Sequence, residues 1–512
     1  MRIRETARCC FIVLSAGGLL LAAQDQGHQH AASDQAPATS RLGEVHFPTS
    51  CAPGVEATFE EGVALLHSFQ YKAADEAFKQ VARQDPDCAI AYWGQAMSRW
   101  EALWDRPDAA TLQAGHADLE KAANLKAETR REREYIAAAA AFYQQDPKLD
   151  YAARVASYSR AMGRLHEHYP EDGEAAAFYA LSLIALPAEG DADLANRKQA
   201  IAILDKLFAA EPDHPGAAHY LIHAADTPQF APLGLEAARR YAKIAPASAH
   251  ALHMPSHIFT RLGLWQESIA SNLASAAAAA DATEKGLGDA HYQLHALDFL
   301  EYAYLQNGQK AEAEHVIDEV RQVPGATQEE IEDSQATFRA RYAIETHDWK
   351  MAADLKPPSS GGAYRQDVTW WARAIGAARS GDVGAARADV GKLAAASADA
   401  KARSKGQGYE VKAGKTIHQL EAEAWLAYAE GHPDDALRTL GAAADREDAE
   451  GVDSLSMPAR EMLGDMLMES NRPQAALAAY ETALKESPHR FDGLEGATRA
   501  AQLAGKPQVA VR

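Results

Sequence analysis

Runs that alternate apolar and polar residues are missing from this 512-residue sequence, and with them the usual mark of a β-sheet. Long apolar runs are almost absent as well. The one candidate, Phe11 to Ala23, has thirteen residues, too few for a membrane-spanning helix, which needs ~20. Basic residues are outnumbered, with a formal net charge of −21, so a surface for nucleic acid or anionic lipid is not expected. Cysteine occurs only four times. Catalytic signatures are lacking too. No Gly-x-Ser-x-Gly elbow, dinucleotide fingerprint or His-Glu-x-x-His motif occurs. Gly408 to Thr416 imitates a phosphate loop, but five residues separate its glycines and no strand precedes it, so it reads as a helix start.

What is abundant is alanine, with apolar positions recurring every three or four residues, the pattern of many short amphipathic helices. The N-terminus reads differently. Arg2, Arg4 and Arg8 precede the apolar run, so residues 1–23 are expected to be a secretory signal cleaved near Ala23, the alternative being an uncleaved anchor. Residues 24–54 are expected to form a flexible tether, polar up to Arg41, with His28 and His30 there by accident of composition. A first helical array would span 55–356, a linker 357–364 (opening Pro-Pro-Ser-Ser-Gly-Gly), and a second array 365–506. Export to the periplasm or medium would remove Cys9 and Cys10, leaving Cys51 and Cys88 as a candidate disulfide or as two buried thiols.

Repetition is clearest in residues 463–488. Leu463, Gly464, Leu467, Ala476, Tyr480, Ala483 and Pro488 fall where a tetratricopeptide (TPR) repeat wants large, small, aromatic and helix-ending residues. Gly62, Ala74, Phe78 and Pro86 repeat the pattern near the start, and Pro212 and Pro246 close looser copies. Small residues let paired helices approach, the aromatic fills the gap to the next pair, and proline ends the second helix. The chain thus resembles the TPR superfamily. That implies an all-α, right-handed superhelical solenoid of antiparallel helix pairs. The segments LLHSFQYKAADEAF, DPDCAIAYWG, HYLIHA and HALHMPSHI are also similar to a family of exported bacterial TPR proteins. This second resemblance implies fold and export, and supplies no mechanism.

The chemistry lies in a histidine ladder. His219 and His223, His253 and His257, and His291 and His295 are each four apart, so each pair shares a helix face. His253 and His257 follow the first pair by one TPR period. The resemblance implies that TPR positions 2, 5, 9, 12 and 13 line a concave groove. This register puts His219, His223, His250, His253, His257, His295 and Asp298 at such positions. Neutral imidazoles on helices ~8–10 Å apart can share a transition metal such as copper, zinc or iron. The expected metal-ligand candidates are therefore these seven residues and His291. A recognition surface without metal is the competing reading. His67 falls near position 13 and is expected to pack locally. Trp93, Trp100 and Trp104 are expected to seal helix contacts.

Three functions follow as expectations. The first is an exported scaffold that takes a protein or peptide partner, or another ligand, in its groove and adds a metal site. The second is a metal-dependent enzyme using the same histidines. The third is a structural adaptor. No general base is evident, which ranks the enzyme below the scaffold.

Overall fold

The computed structural model describes residues 42–103, 106–187, 190–286, 288–358, 363–404, 414–451 and 455–506. The expected signal, the tether up to Arg41, Trp104 and residues 359–362 of the linker lie outside these. Among the described residues every element longer than a short 3-10 turn is an α-helix, and none is long and apolar enough to cross a membrane. Each helix packs on the next, from Glu56–His67 to Phe491–Leu503. The architecture is an all-α helical solenoid.

The repeat logic is visible in two aromatic rings. Phe78, fully buried, lies between Gly62 of its own hairpin and Gly94 of the next helix. A Cβ on either glycine would come within 2.8 Å or 2.4 Å of that ring. Tyr480 lies in the same way between Gly464 and Gly496. Pro86 and Pro488 follow helices ending at Gln84 and Glu486. Proline cannot continue an α-helix, because it lacks the N–H and its ring collides with the preceding turn.

Two boundaries differ from expectation. Residues 42–54 are not a free tether. Leu42 and Phe47 are buried, Glu44 N–H donates to Asp213 O at 2.9 Å, and Phe47 N–H donates to Glu60 Oε1 at 3.1 Å. A fully desolvated phenylalanine here contributes roughly 1.5–3 kcal/mol, enough to hold a short segment down. Nor does the core divide at 357–364. One apolar cluster takes Ala340, Ile344 and Leu355 before that stretch together with Trp371, Ile375 and Trp425 after it.

Cys51 and Cys88 lie at disulfide distance, with sulfurs 1.98 Å and Cα atoms 4.9 Å apart. Cys88 caps the helix Ala89–Met97, and Cys51 stands just before the first helix. Alternate helices of a hairpin stack bring their N-termini together there. Trp93 and Trp100 are buried among aromatic rings of neighbouring helices. The chain also turns back on itself. The first helix, ending at His67, packs against Pro215–Ala225, which sets the early hairpin beside the histidine ladder.

Candidate metal centre

Four helices carry the ladder. His214 caps Pro215–Ala225, its Nδ1 accepting the Ala217 N–H at 3.1 Å, and that helix presents His219 and His223. Ser248 caps the next helix, Ala249–His253, which is followed at once by Pro255–Arg261. The proline removes one backbone donor, but Met254 keeps helical dihedrals (φ −51°, ψ −35°). His253 and His257 therefore stay on one face despite the break. The fourth ladder helix, Ala290–Gln306, carries His291 and His295.

The structure gathers six histidines into two sets of three. In the first, His219 Nε2 lies 3.0 Å from His250 Nε2 and 3.1 Å from His223 Nε2. In the second, His253 Nε2 lies 3.1 Å from His257 Nε2, with the His295 ring centred 4.4 Å from that of His253. Within each set the candidate ligand atoms all fall within 4.8 Å of one another.

Outer partners fix the protons. His219 Nδ1–H donates to the His67 carbonyl at 2.6 Å, which can only accept. His253 Nδ1–H donates to Asn272 Oδ1 at 2.7 Å, while the Asn272 amide donates to Ser268 O and so cannot face the other way. His257 Nδ1–H donates to Asp226 Oδ2 at 3.0 Å, and Arg261 holds the other carboxylate oxygen at 2.9 Å. In each neutral ring the lone pair therefore sits on Nε2, aimed at the centre of its set. Burial is the main force lowering the histidines' pKa values. It takes His219 to about 3 and His295 to about 4, and holds His223, His250 and His253 well below normal, with neighbouring imidazoles adding to the effect. Burial opposes the charge of Asp226, yet the hydrogen bond from His257 and the Arg261 guanidinium hold its carboxyl far below the usual range.

Lone pairs facing one another at about 3 Å repel unless a proton or a cation lies between them. A metal bonded to two imidazole nitrogens at about 2.0–2.1 Å places them roughly 3 Å apart. The donor set is all imidazole, which suits copper, zinc, iron or nickel and not magnesium or calcium. The locked Nδ1–H groups match the way metal-bound histidines are usually oriented.

Not every expected ligand joins a set. His291 is exposed and belongs to neither. Asp298 accepts from Arg341 at 2.6 Å, so its carboxylate is drawn to a guanidinium and away from the histidines. The open groove is absent at this point as well. His219 has no exposed surface, and His250 and His253 have 3% and 2%, because Phe69 of the first hairpin packs over His219 and His250, and Phe299 and Asn272 over His253. His67 does more than pack. Its Nε2 bonds Glu174 at 2.7 Å, its Nδ1 meets Tyr220 OH at 3.0 Å, and its carbonyl orients His219. Glu174 also lies 3.3 Å from His214 Nε2, out of hydrogen-bond alignment. Burial works against the Glu174 charge, but the two imidazoles hold its carboxyl far below the usual range, leaving a charge-balanced buried group. His214 lies five residues before the ladder's first histidine, about one turn and a half along the chain. Glu174, Asp226 and Asn272 gave no sequence signal, because each meets its histidine only through the fold.

One residue over each set was also missed. Phe69 is 1% exposed, and its ring centre lies 4.4 Å, 5.5 Å and 5.7 Å from those of His219, His223 and His250. Phe299 contacts His253, His257 and His295 at 4.8 Å, 4.7 Å and 5.4 Å.

No protein-family model matches the chain, and no curated protein matches it. Solved helical-repeat structures do. They include the TPR domain of P58(IPK), at 15% identity over 89% of this chain and 99% of that one, with a TM-score of 0.22. Yeast Tom70 aligns at 12% identity over 88% of each chain with a TM-score of 0.31, and Ypp1 at 8% over 89% and 86% with 0.40. Scores this low carry nothing about the site. The fold stands on its own helices.

Proposed function

We propose that this chain is an exported helical-repeat protein that binds transition-metal ions, copper, zinc or iron, at its two histidine sets. One observation carries the reading: Nδ1–H groups tied to His67 O, Asn272 and Asp226 turn the Nε2 lone pairs of His219, His253 and His257 inward, to within 3.1 Å of other imidazole nitrogens. Binding is favoured over turnover, because Asp226 and Glu174 are already engaged, Asp226 by His257 and Arg261 and Glu174 by His67. The protein or peptide partner expected of a repeat array belongs to the same proposal, since solenoids present long surfaces.

Elemental analysis of the purified chain, after supplementation with copper, zinc and iron in turn, tests the reading. At least one ion per chain is expected, and loss of at least half of it in the double variant His253→Ala, His257→Ala. Retention of no metal by the unmutated protein sinks the proposal. Full retention by the double variant moves the site away from the second set.

A further inference from the structure

The two sets are adjacent as well as alike. The His223 and His257 rings, one from each set, have centres 6.1 Å apart, and those of His250 and His253 are 6.2 Å apart. His250 and His253 share one short helix and serve different sets. His219 and His223 of one set are answered one repeat later by His253 and His257 of the other, so the second site is the first displaced by one helix pair.

Charge makes adjacency consequential. All six side chains are imidazoles, which bring no negative charge of their own. The carboxylates nearest to them are already matched, Asp226 by Arg261 and Asp298 by Arg341. Two divalent ions would put four positive charges into a buried region with no unpaired protein anion among these groups. An uncompensated buried charge is strongly destabilising. Three imidazoles also leave one position open on a four-coordinate ion. A small anion shared by both ions would fill the two open positions and lower the charge at once.

The apolar covers fit a small ligand only. Phe69 and Phe299 each touch all three histidines of one set. Phe69 stands in the turn between the two helices of the first hairpin. Its φ is +55°, and its N–H bonds the carbonyl three residues back, as do those of Gly263 and Gly308 at later turns with φ of 64° and 75°. His347 and Asn471 take the same conformation at two other turns, so the positive φ belongs to the repeat turn. What is particular to Phe69 is a buried ring lying on three imidazoles, which leaves room for a small ligand and excludes a bulky one.

We infer that the two sets form one dinuclear centre, two transition-metal ions each held by three imidazoles and sharing a small bridging anion such as hydroxide. This rests on the metal-binding reading above and extends it to number and coupling, with copper as the probe ion. The test uses the unmutated full chain loaded with cupric ion, with a cuprous-specific chelator to show that no ion has been reduced. Two coppers per chain are expected, with integrated electron-paramagnetic intensity well below two spins because the bridge couples the ions. In His295→Ala the stoichiometry should fall to one, and a full single-spin signal should appear. Two coppers with the full intensity of two isolated spins, or one copper in the unmutated chain, would overturn the dinuclear centre and leave metal binding standing. Failure to hold any metal would overturn both.

Discussion

Asn272 acts on the second histidine set without belonging to it. Its amide is oriented by Ser268 O, and its oxygen fixes the proton of His253 on Nδ1. Removing such an outer partner usually costs 10–100-fold in metal affinity. Asn272→Ala is therefore expected to weaken metal binding by that factor in a chelator competition, while the helical signal is retained. An unchanged affinity would mean that packing alone orients His253. A second single-residue effect concerns pH. Burial, with the nearby Glu421 carboxylate, pushes Glu447 up from 4.5 to about 8, and the Ala459 N–H only partly offsets this. The native state then holds a proton that the unfolded chain gives up between those values. The contribution of Glu447 to stability is complete below pH 4.5 and declines as pH rises to about 8, by at most about 1.4 kcal/mol per unit. Glu447→Gln should flatten that decline when urea midpoints are compared across the window.

At the scale of helices, the sequence was most readable where spacing alone decides the outcome. Gly62 and Phe78, or Gly464 and Tyr480, stand at fixed offsets, and the close approach they permit is local to one hairpin and its neighbour. A methyl group tests it. Gly94→Ala would place a Cβ 2.4 Å from the Phe78 ring, so destabilisation of about 1–3 kcal/mol is expected from thermal or urea melts. Gly441 is also helical, but nothing lies within 4 Å of its would-be Cβ. There Ala should be neutral or stabilising by up to about 1 kcal/mol. Equal effects at both positions would remove the packing explanation. The histidine pairs were readable for the same reason, as i, i+4 neighbours. The sorting of six histidines into two threes was not, because His250 and His295 reach sets completed by other helices. The buried state of the ladder was unreadable too, since it depends on the first hairpin folding over a helix some 150 residues later.

Across the whole molecule, long-range polar contacts decide which repeats meet, and periodicity carries no record of them. Arg490 is the clearest case. It has no exposed surface, and it bonds Glu461 at 2.7 Å, Glu345 at 2.9 Å and Tyr302 OH at 2.6 Å. Beside it, Trp265 Nε1–H donates to His489 O at 2.8 Å. These contacts brace the last helix against Ala290–Gln306, the helix that carries His295 and Phe299. Truncating the cation would leave two carboxylates buried and facing one another, a loss of about 3–5 kcal/mol. Arg490→Met is expected to show that loss by urea denaturation, with faster amide exchange in Phe491–Leu503. Adding Glu345→Gln and Glu461→Gln should recover most of it, since the penalty arises from the stranded charges and not from the missing side chain. If Arg490→Met cost less than about 1 kcal/mol, apolar packing alone would hold the C-terminal helix. The position of His295 would then owe nothing to the closure of the chain.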